Sequence, residues 1–107
     1  MLKRFFVVLA LTLLTNTAFA QDSVRVTYYN LRGITASGIK TRPGIIAVSR
    51  DLLKKYPMHS TVKVEGYGVY KVEDKMAAHK KKSVDIWSAT KIPNGTKVKI
   101  TLIKTPK

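Results

Sequence analysis

Few side chains in this sequence could carry chemistry, because its 107 residues include no cysteine and only six acidic residues. The absence of thiols excludes disulfides and Cys-based metal or cluster sites. The two histidines have no metal-ligand spacing and no nucleophile motif beside them. We therefore expect carboxylate acid/base chemistry, with no metal and no cofactor. The carboxylates worth weighing are Asp51, Glu73, Asp74 and Asp85.

The first twenty residues have the pattern of a secretory signal peptide. Lys3 and Arg4 precede an apolar run over 5–14, and the small-residue ending Ala18-Phe19-Ala20 follows. The run is shorter than the ~20 residues of a membrane-spanning helix, although a retained helix is the alternative. We expect cleavage after Ala20, a single domain over 21–107, a periplasmic or extracellular location, and no transmembrane segment in the mature chain.

The charge balance is strongly positive, with 20 Lys and Arg against 6 Asp and Glu and a net charge of +14. Such a charge attracts polyanions, including nucleic acid, anionic lipid surfaces and acidic wall polymers. Export favours the envelope targets, so we expect peptidoglycan or another acidic wall polymer as partner and regard nucleic acid as a poor candidate.

The composition after residue 20 favours strands, because Val, Ile and Thr dominate, Leu is scarce and Phe is absent. Most apolar runs alternate with polar residues, and Gly, Pro or polar turn residues bound them. The segment 44–48 lacks alternation, which indicates a strand buried on both faces. A mainly β domain is predicted, with strands at 24–28, 44–48, 62–65, 69–72, 83–87 and 98–102.

One short helix of about two turns is also predicted, with Ser49 as its cap, Asp51 in its first turn and Pro57 after its end. A faint repeat relates the segments 56–64 and 92–100, each leading from a proline turn into a strand. The repeat suggests a six-stranded β-barrel with two related halves. Two unrelated strand entrances are the alternative.

Several segments resemble the 3D domain, a family named for three aspartates. They are 45–48 (IIAV), 66–74 (GYGVYKVED) and 84–87 (VDIW), and 35–38 (TASG) is similar to a segment of rare lipoprotein A. The similarity covers roughly 26–103, and its most specific feature is the eleven-position separation of Asp74 and Asp85. The resemblance implies a double-psi β-barrel related to that of membrane-bound lytic transglycosylase A.

The resemblance also implies site residues. It assigns the catalytic acid/base role to Asp85 and places Asp74 beside it, whereas a solvated outer position is the alternative for Asp85. Asp51 stands two residues after the position of the family's first aspartate, so it either supports catalysis or only stabilises the helix start. Residues 74–78 read DKMAA where the family typically has Asp-Thr-Gly-Gly, which predicts a different substrate loop.

Other side chains are candidates for substrate binding. An aromatic ring can stack on a sugar or pack in the core, and a lysine can hold a wall carboxylate or lie solvated in a loop. Glu73 is expected on the strand surface. The binding candidates are Trp87, Tyr67, Lys75, Lys80, Lys81 and Lys82.

These observations predict an exported, peptidoglycan-acting protein that cleaves glycan strands as a lytic transglycosylase does, with an aspartate as acid/base. The alternative is a non-catalytic, cationic wall-binding module. A cationic effector that binds nucleic acid or anionic membranes is a third hypothesis.

Overall fold

The protein, described here from a computed structural model, folds as a closed barrel of six strands. The structure describes residues 20–106, so the predicted signal peptide at 1–20 lies outside the described residues except for Ala20. The strands are β1 (Gln21–Tyr29), β2 (Ile45–Val48), β3 (Thr61–Val64), β4 (Gly68–Lys75), β5 (Ser83–Trp87) and β6 (Gly95–Lys104). All six predicted strands are confirmed, each at its expected place.

The strands follow one another around the barrel in the order β1-β5-β2-β4-β3-β6, and β6 closes against β1. Two neighbouring pairs are parallel, β1 with β5 and β2 with β4, and the other four are antiparallel. The strands of the two similar sequence segments, β3 and β6, are antiparallel neighbours. Because the described strands close into a barrel, none of them presents a free edge at which another chain could pair.

The core fills the barrel with β-branched side chains, as the alternating sequence predicts. Valine and isoleucine point inward from every strand, and the polar residues between them face outward. β2 is buried at all four positions, as its non-alternating sequence predicts. The fully buried aliphatic residues include Val26, Ile46, Val48, Val62, Val64, Val72, Val84 and Ile100.

The predicted helix is wrong in length, since only a three-residue 3₁₀ helix forms at Arg50–Leu52. Ser49 does not cap it. The Ser49 hydroxyl instead accepts a hydrogen bond from the Ser83 backbone N–H at 3.1 Å, which ties the end of β2 to β5. This single turn is enough for both Leu52 and Tyr56 to pack in the core. Because most of the stability of a short helix comes from such packing, a longer helix is not needed here.

Tyr56 offers a test of the core that does not depend on function. Its ring is fully buried, and its hydroxyl donates to Asp22 Oδ2 at 2.8 Å. We expect Tyr56→Phe to lower the free energy of unfolding by about 1–2 kcal/mol, because a hydrogen bond to a charged acceptor is lost. Urea unfolding measures this. Lys55→Gln removes the exposed ion pair to the same carboxylate and should cost less, so equal losses would contradict the account.

Candidate functional site

Asp85 and Asp74 reach the same place on the barrel because both lie beside Ala47. Asp85 is the partner of Ala47 on one side of β2, and Asp74 is its partner on the other. On the far side of β5, Thr27 of β1 is the partner of Asp85. Residues in register share a face of the sheet, so the four side chains form one row in which the smallest, Ala47, lies between the two aspartates.

An irregularity in β4 brings Asp74 into this row. The register between β2 and β4 shifts after Ile46, so that Val72 is the partner of Ile46 but Asp74, two residues later, is the partner of Ala47. An extra residue in a strand re-aims the side chains that follow, and such irregularities are common beside functional sites. Without the shift, Glu73 would stand opposite Ala47 instead of Asp74.

The carboxyl group of Asp85 is half-buried and has one side-chain hydrogen bond. Thr27 Oγ1 donates to Asp85 Oδ1 at 2.7 Å. Burial raises the pKa of Asp85 above its usual value and the charge of Asp74 adds to the rise, whereas the Thr27 hydrogen bond and the charge of Lys80 oppose it. A carboxyl with a raised pKa keeps its proton to higher pH, as a general acid must.

Asp74 is held much more firmly. Its Oδ1 accepts hydrogen bonds from the backbone N–H groups of Ala36 at 2.9 Å and Lys75 at 3.0 Å. Its Oδ2 accepts one from the Tyr29 hydroxyl at 3.1 Å. Burial and the adjacent Asp74 raise the pKa of Tyr29, so this hydroxyl stays protonated and remains a donor. Both oxygens of Asp74 are therefore occupied, whereas only one oxygen of Asp85 is.

Glu73 secures the loop that covers Asp74, and its expected place on the strand surface is wrong. Its side chain is 3% exposed. It accepts a hydrogen bond from the Ser37 hydroxyl at 2.5 Å, and His59 Nδ1 lies 3.1 Å from Oε1. Because Ser37 follows Ala36 in the loop, this contact holds the Ala36 N–H against Asp74. In the sequence, only the adjacency of Glu73 and Asp74 in one strand indicated a special arrangement. The register shift explains how two neighbouring side chains can both reach hydrogen-bond partners.

The two aspartates line a cleft of about 290 Å³ on the outer face of the barrel. Leu31 stands at its rim with 73% of its surface exposed, which offers an apolar surface to a bound ring. We call this the acidic cleft. Its remaining lining residues are Tyr29, Ala47, Lys75, Met76, Ala77 and Lys80.

The other predicted binding residues fall at different places. Lys75 and Lys80 line the acidic cleft, whereas Lys81 and Lys82 line a neighbouring one. Trp87 is 6% exposed and its Nε1 donates to the Leu31 carbonyl at 2.8 Å, which agrees with the packing alternative. Tyr67 does not line the acidic cleft, and its hydroxyl donates to the Pro93 carbonyl at 2.8 Å.

Asp51 does not line the acidic cleft. Its Oδ2 accepts a hydrogen bond at 3.0 Å from the backbone N–H of Lys82, so it fixes the end of the loop between β4 and β5. Burial alone would raise the pKa of Asp51, but hydrogen bonds from Ser49 and from the Lys82 backbone outweigh it and lower the pKa. Its position indicates a structural role in that loop.

Within residues 20–106, no group of three or more His, Asp or Glu side chains is arranged to hold a metal ion. No helix in this part of the chain is long and apolar enough to cross a bilayer. Comparison of the chain with protein-family models, curated proteins and solved structures finds no significant match. The resemblance to the 3D domain therefore stays a prediction.

The raised pKa of Asp85 predicts how the stability of Asp85→Asn depends on pH. At low pH the carboxyl is protonated in both folded and unfolded states, so the substitution changes little. As the pH rises, the unfolded state ionises first and the wild-type fold loses stability relative to the amide variant. We expect Asp85→Asn to melt at a higher temperature than the wild type at pH 7, with the difference vanishing at about pH 3.

Thermal melts of both proteins across this range measure the effect. Asp51→Asn is the matched control with the opposite sign, because the pKa of Asp51 is lowered by folding. That variant should be less stable than the wild type at neutral pH and should approach it in acid. A destabilised Asp85→Asn at pH 7 would mean that the carboxylate of Asp85 is well solvated.

Proposed function

We propose that this protein cleaves the glycan strands of peptidoglycan by lytic transglycosylation, with Asp85 as both acid and base. The observation that carries the proposal is the unequal state of two carboxyl groups in one cleft. Asp74 has both oxygens occupied by three donors, whereas Asp85 has one free oxygen and a raised pKa. One carboxyl group is thus free to transfer a proton, and this reaction requires only one.

The reaction balances with that single group. Protonated Asp85 gives its proton to the glycosidic oxygen, and the bond from that oxygen to the anomeric carbon breaks. The 6-hydroxyl oxygen of the same sugar then bonds to the anomeric carbon, and its proton passes to the Asp85 carboxylate. The products are a free 4-hydroxyl and a 1,6-anhydro end, Asp85 regains its proton, and no water is consumed.

Asp74 contributes electrostatically. Its negative charge raises the pKa of Asp85, and the same charge can stabilise the positive charge that develops on the anomeric carbon. Ordinary glycosidases use a second carboxylate as nucleophile or as base for a water molecule. The backbone and Tyr29 donors on Asp74 are already in place, which argues against either of those roles.

The proposal includes the 3D-domain family and its double-psi topology. In support, the barrel is closed, has six strands with two parallel pairs, and joins the strands of the two similar segments as neighbours. It also includes export through a cleaved signal peptide, which rests on the sequence of residues 1–20. The wall outside the membrane is where the substrate is found.

A non-catalytic wall-binding module is the second candidate, and the net charge of +14 favours it. Incubating the purified protein with insoluble peptidoglycan separates the two. Release of soluble glycan fragments supports cleavage. Sedimentation of the protein with the wall material, without fragments, supports the binder and overturns the catalytic proposal.

A further inference from the structure

A second and larger cleft, of about 490 Å³, lies beside the acidic one, and it is lined by basic residues. No Asp or Glu is among the described residues that line it. We call it the basic cleft. Its positively charged or titratable residues are Arg25, His79, Lys80, Lys81, Lys82 and Lys97.

The basic cleft draws its charges from distant parts of the sequence. Arg25 comes from β1, Lys97 from β6, and the remaining lysines from the loop between β4 and β5. The lysine run therefore does not simply lie solvated in a loop, because basic residues from two strands line the same cleft. The antiparallel pairing of β1 with β6 and the parallel pairing of β1 with β5 bring them together.

Two of these lysines have unusual backbone conformations. Lys82 has φ +44° and Lys97 has φ +54°, in the left-handed region that residues other than glycine seldom adopt. Lys82 is fixed on both sides, since its N–H donates to Asp51 and its carbonyl accepts from the Arg25 N–H at 3.0 Å. Lys97 lies between Gly95 and Val98, where the pairing of β1 with β6 is irregular. Strain that the surrounding fold maintains is typical of binding sites.

The basic cleft adjoins the acidic cleft. Met76 and Lys80 line both. Thr27 lines the basic cleft while its hydroxyl donates to Asp85 in the acidic one. A polymer lying in one cleft can therefore place a side group in the other.

We propose that the basic cleft binds anionic oxygen groups of the wall polymer, carboxylates or phosphates, and so positions the glycan strand against Asp85. This proposal rests on the proposed function, and it identifies the groups of the substrate that provide most of the binding affinity. Because the two clefts lie side by side and share Met76 and Lys80, the anionic group can belong to a neighbouring part of the polymer and need not be on the sugar that is cleaved. The positive charges of the cleft repel one another, and no acidic residue lies among its described lining residues. A bound carboxylate or phosphate would reduce this repulsion.

Lys80 couples the two clefts. Its positive charge opposes the raised pKa of Asp85, and an anion bound in the basic cleft would offset that charge. Binding of the anionic group would thus favour the protonated, proton-donating form of Asp85. A substrate without the anion would bind more weakly and would also meet a poorer acid.

The test removes two charges from the cleft and compares this with removing two elsewhere. Lys81→Gln with Lys97→Asn is the cleft variant, with Asn at the second position because it tolerates a positive φ. Lys63→Gln with Lys71→Gln is the matched control, since both lysines are exposed on β3 and β4 and neither lines the basic cleft. The two variants lose equal net charge.

Retention is measured on three polymers at several salt concentrations: intact peptidoglycan, chitin as an uncharged glycan of N-acetylglucosamine, and poly(glycerol phosphate). We expect the cleft variant to lose about tenfold in affinity for at least one anionic polymer, with a shallower salt dependence. The polymer affected identifies the anion as carboxylate or phosphate. Affinity for chitin, which carries no anion, should change little, and the control should resemble the wild type throughout.

Equal affinities of the cleft and control variants for both anionic polymers would overturn the inference, as would a stronger preference of the wild type for duplex DNA than for either polymer. Glycan fragments are counted in the same samples. Fragments without a cleft-specific loss of affinity would refute the anion site and leave the proposed cleavage standing. A cleft-specific loss without fragments would support the anion site and refute cleavage.

Discussion

Asp85→Asn is expected to reduce glycan cleavage by about 10²–10⁴-fold, the usual contribution of a positioned general acid. The amide cannot donate the proton that the leaving oxygen needs, nor can it accept one from the 6-hydroxyl. Its oxygen can still accept the hydrogen bond from Thr27, which now reaches Asp85 Oδ1 at 2.7 Å. We therefore expect the variant to fold, to bind peptidoglycan as the wild type does, and to release almost no fragments.

The measurement is the initial rate of fragment release at equal amounts of wall-bound protein. Glu65→Gln is the matched control, because it makes the same change from acid to amide at an exposed residue directly after β3. It should retain the wild-type rate. If Asp85→Asn retained more than about a tenth of the wild-type rate, Asp85 would not be the proton donor.

Asp74→Asn and Lys80→Gln are expected to shift the pH dependence of cleavage in opposite directions. Activity must fall as the pH rises through the pKa of Asp85, because the proton is then lost. Asp74 raises that pKa and Lys80 lowers it. Removing the negative charge should therefore move the alkaline limb to lower pH, and removing the positive charge should move it to higher pH.

The size of the change at a fixed alkaline pH is about tenfold in rate for each pH unit that the limb moves. Asn is a suitable replacement at Asp74, since its oxygen can accept from the Ala36 and Lys75 N–H groups, and the Tyr29 hydroxyl can accept from its amide. Rates measured from acid to alkaline pH check both shifts. Shifts in the same direction, or none, would show that these charges do not act through Asp85.

The strands could be predicted from the sequence because their signal is local. Alternating Val and Ile with Gly or Pro at the ends marks each strand, and the unbroken run at β2 indicates burial on both faces. The family resemblance predicted Asp74 and Asp85 as a pair. Whether the two residues lie in one cleft depends on the order of the strands in the barrel. No periodicity within one segment specifies that β2 lies between β4 and β5.

The features missed by the sequence reasoning depend on contacts between distant segments. The register shift in β4 buries Glu73 and aims Asp74, yet it exists only in the pairing with β2. Ser49 has the residue type of a helix cap but bonds to Ser83, 34 positions away. Arg25 and Lys97 join the basic cleft only because β1 pairs with β6.

The chemistry of the newly formed glycan ends tests the central claim most directly. Wild-type protein is incubated with peptidoglycan in water labelled with a heavy oxygen isotope, and the released fragments are analysed by mass spectrometry. We expect 1,6-anhydro ends, lighter by one water molecule than hydrolysed ends and free of label, and their absence with Asp85→Asn. Reducing ends that form at the rate of fragment release and are already labelled at the earliest time point, before the slow exchange of anomeric oxygen with water, would show that water is the nucleophile. They would contradict a mechanism that runs on one carboxyl group.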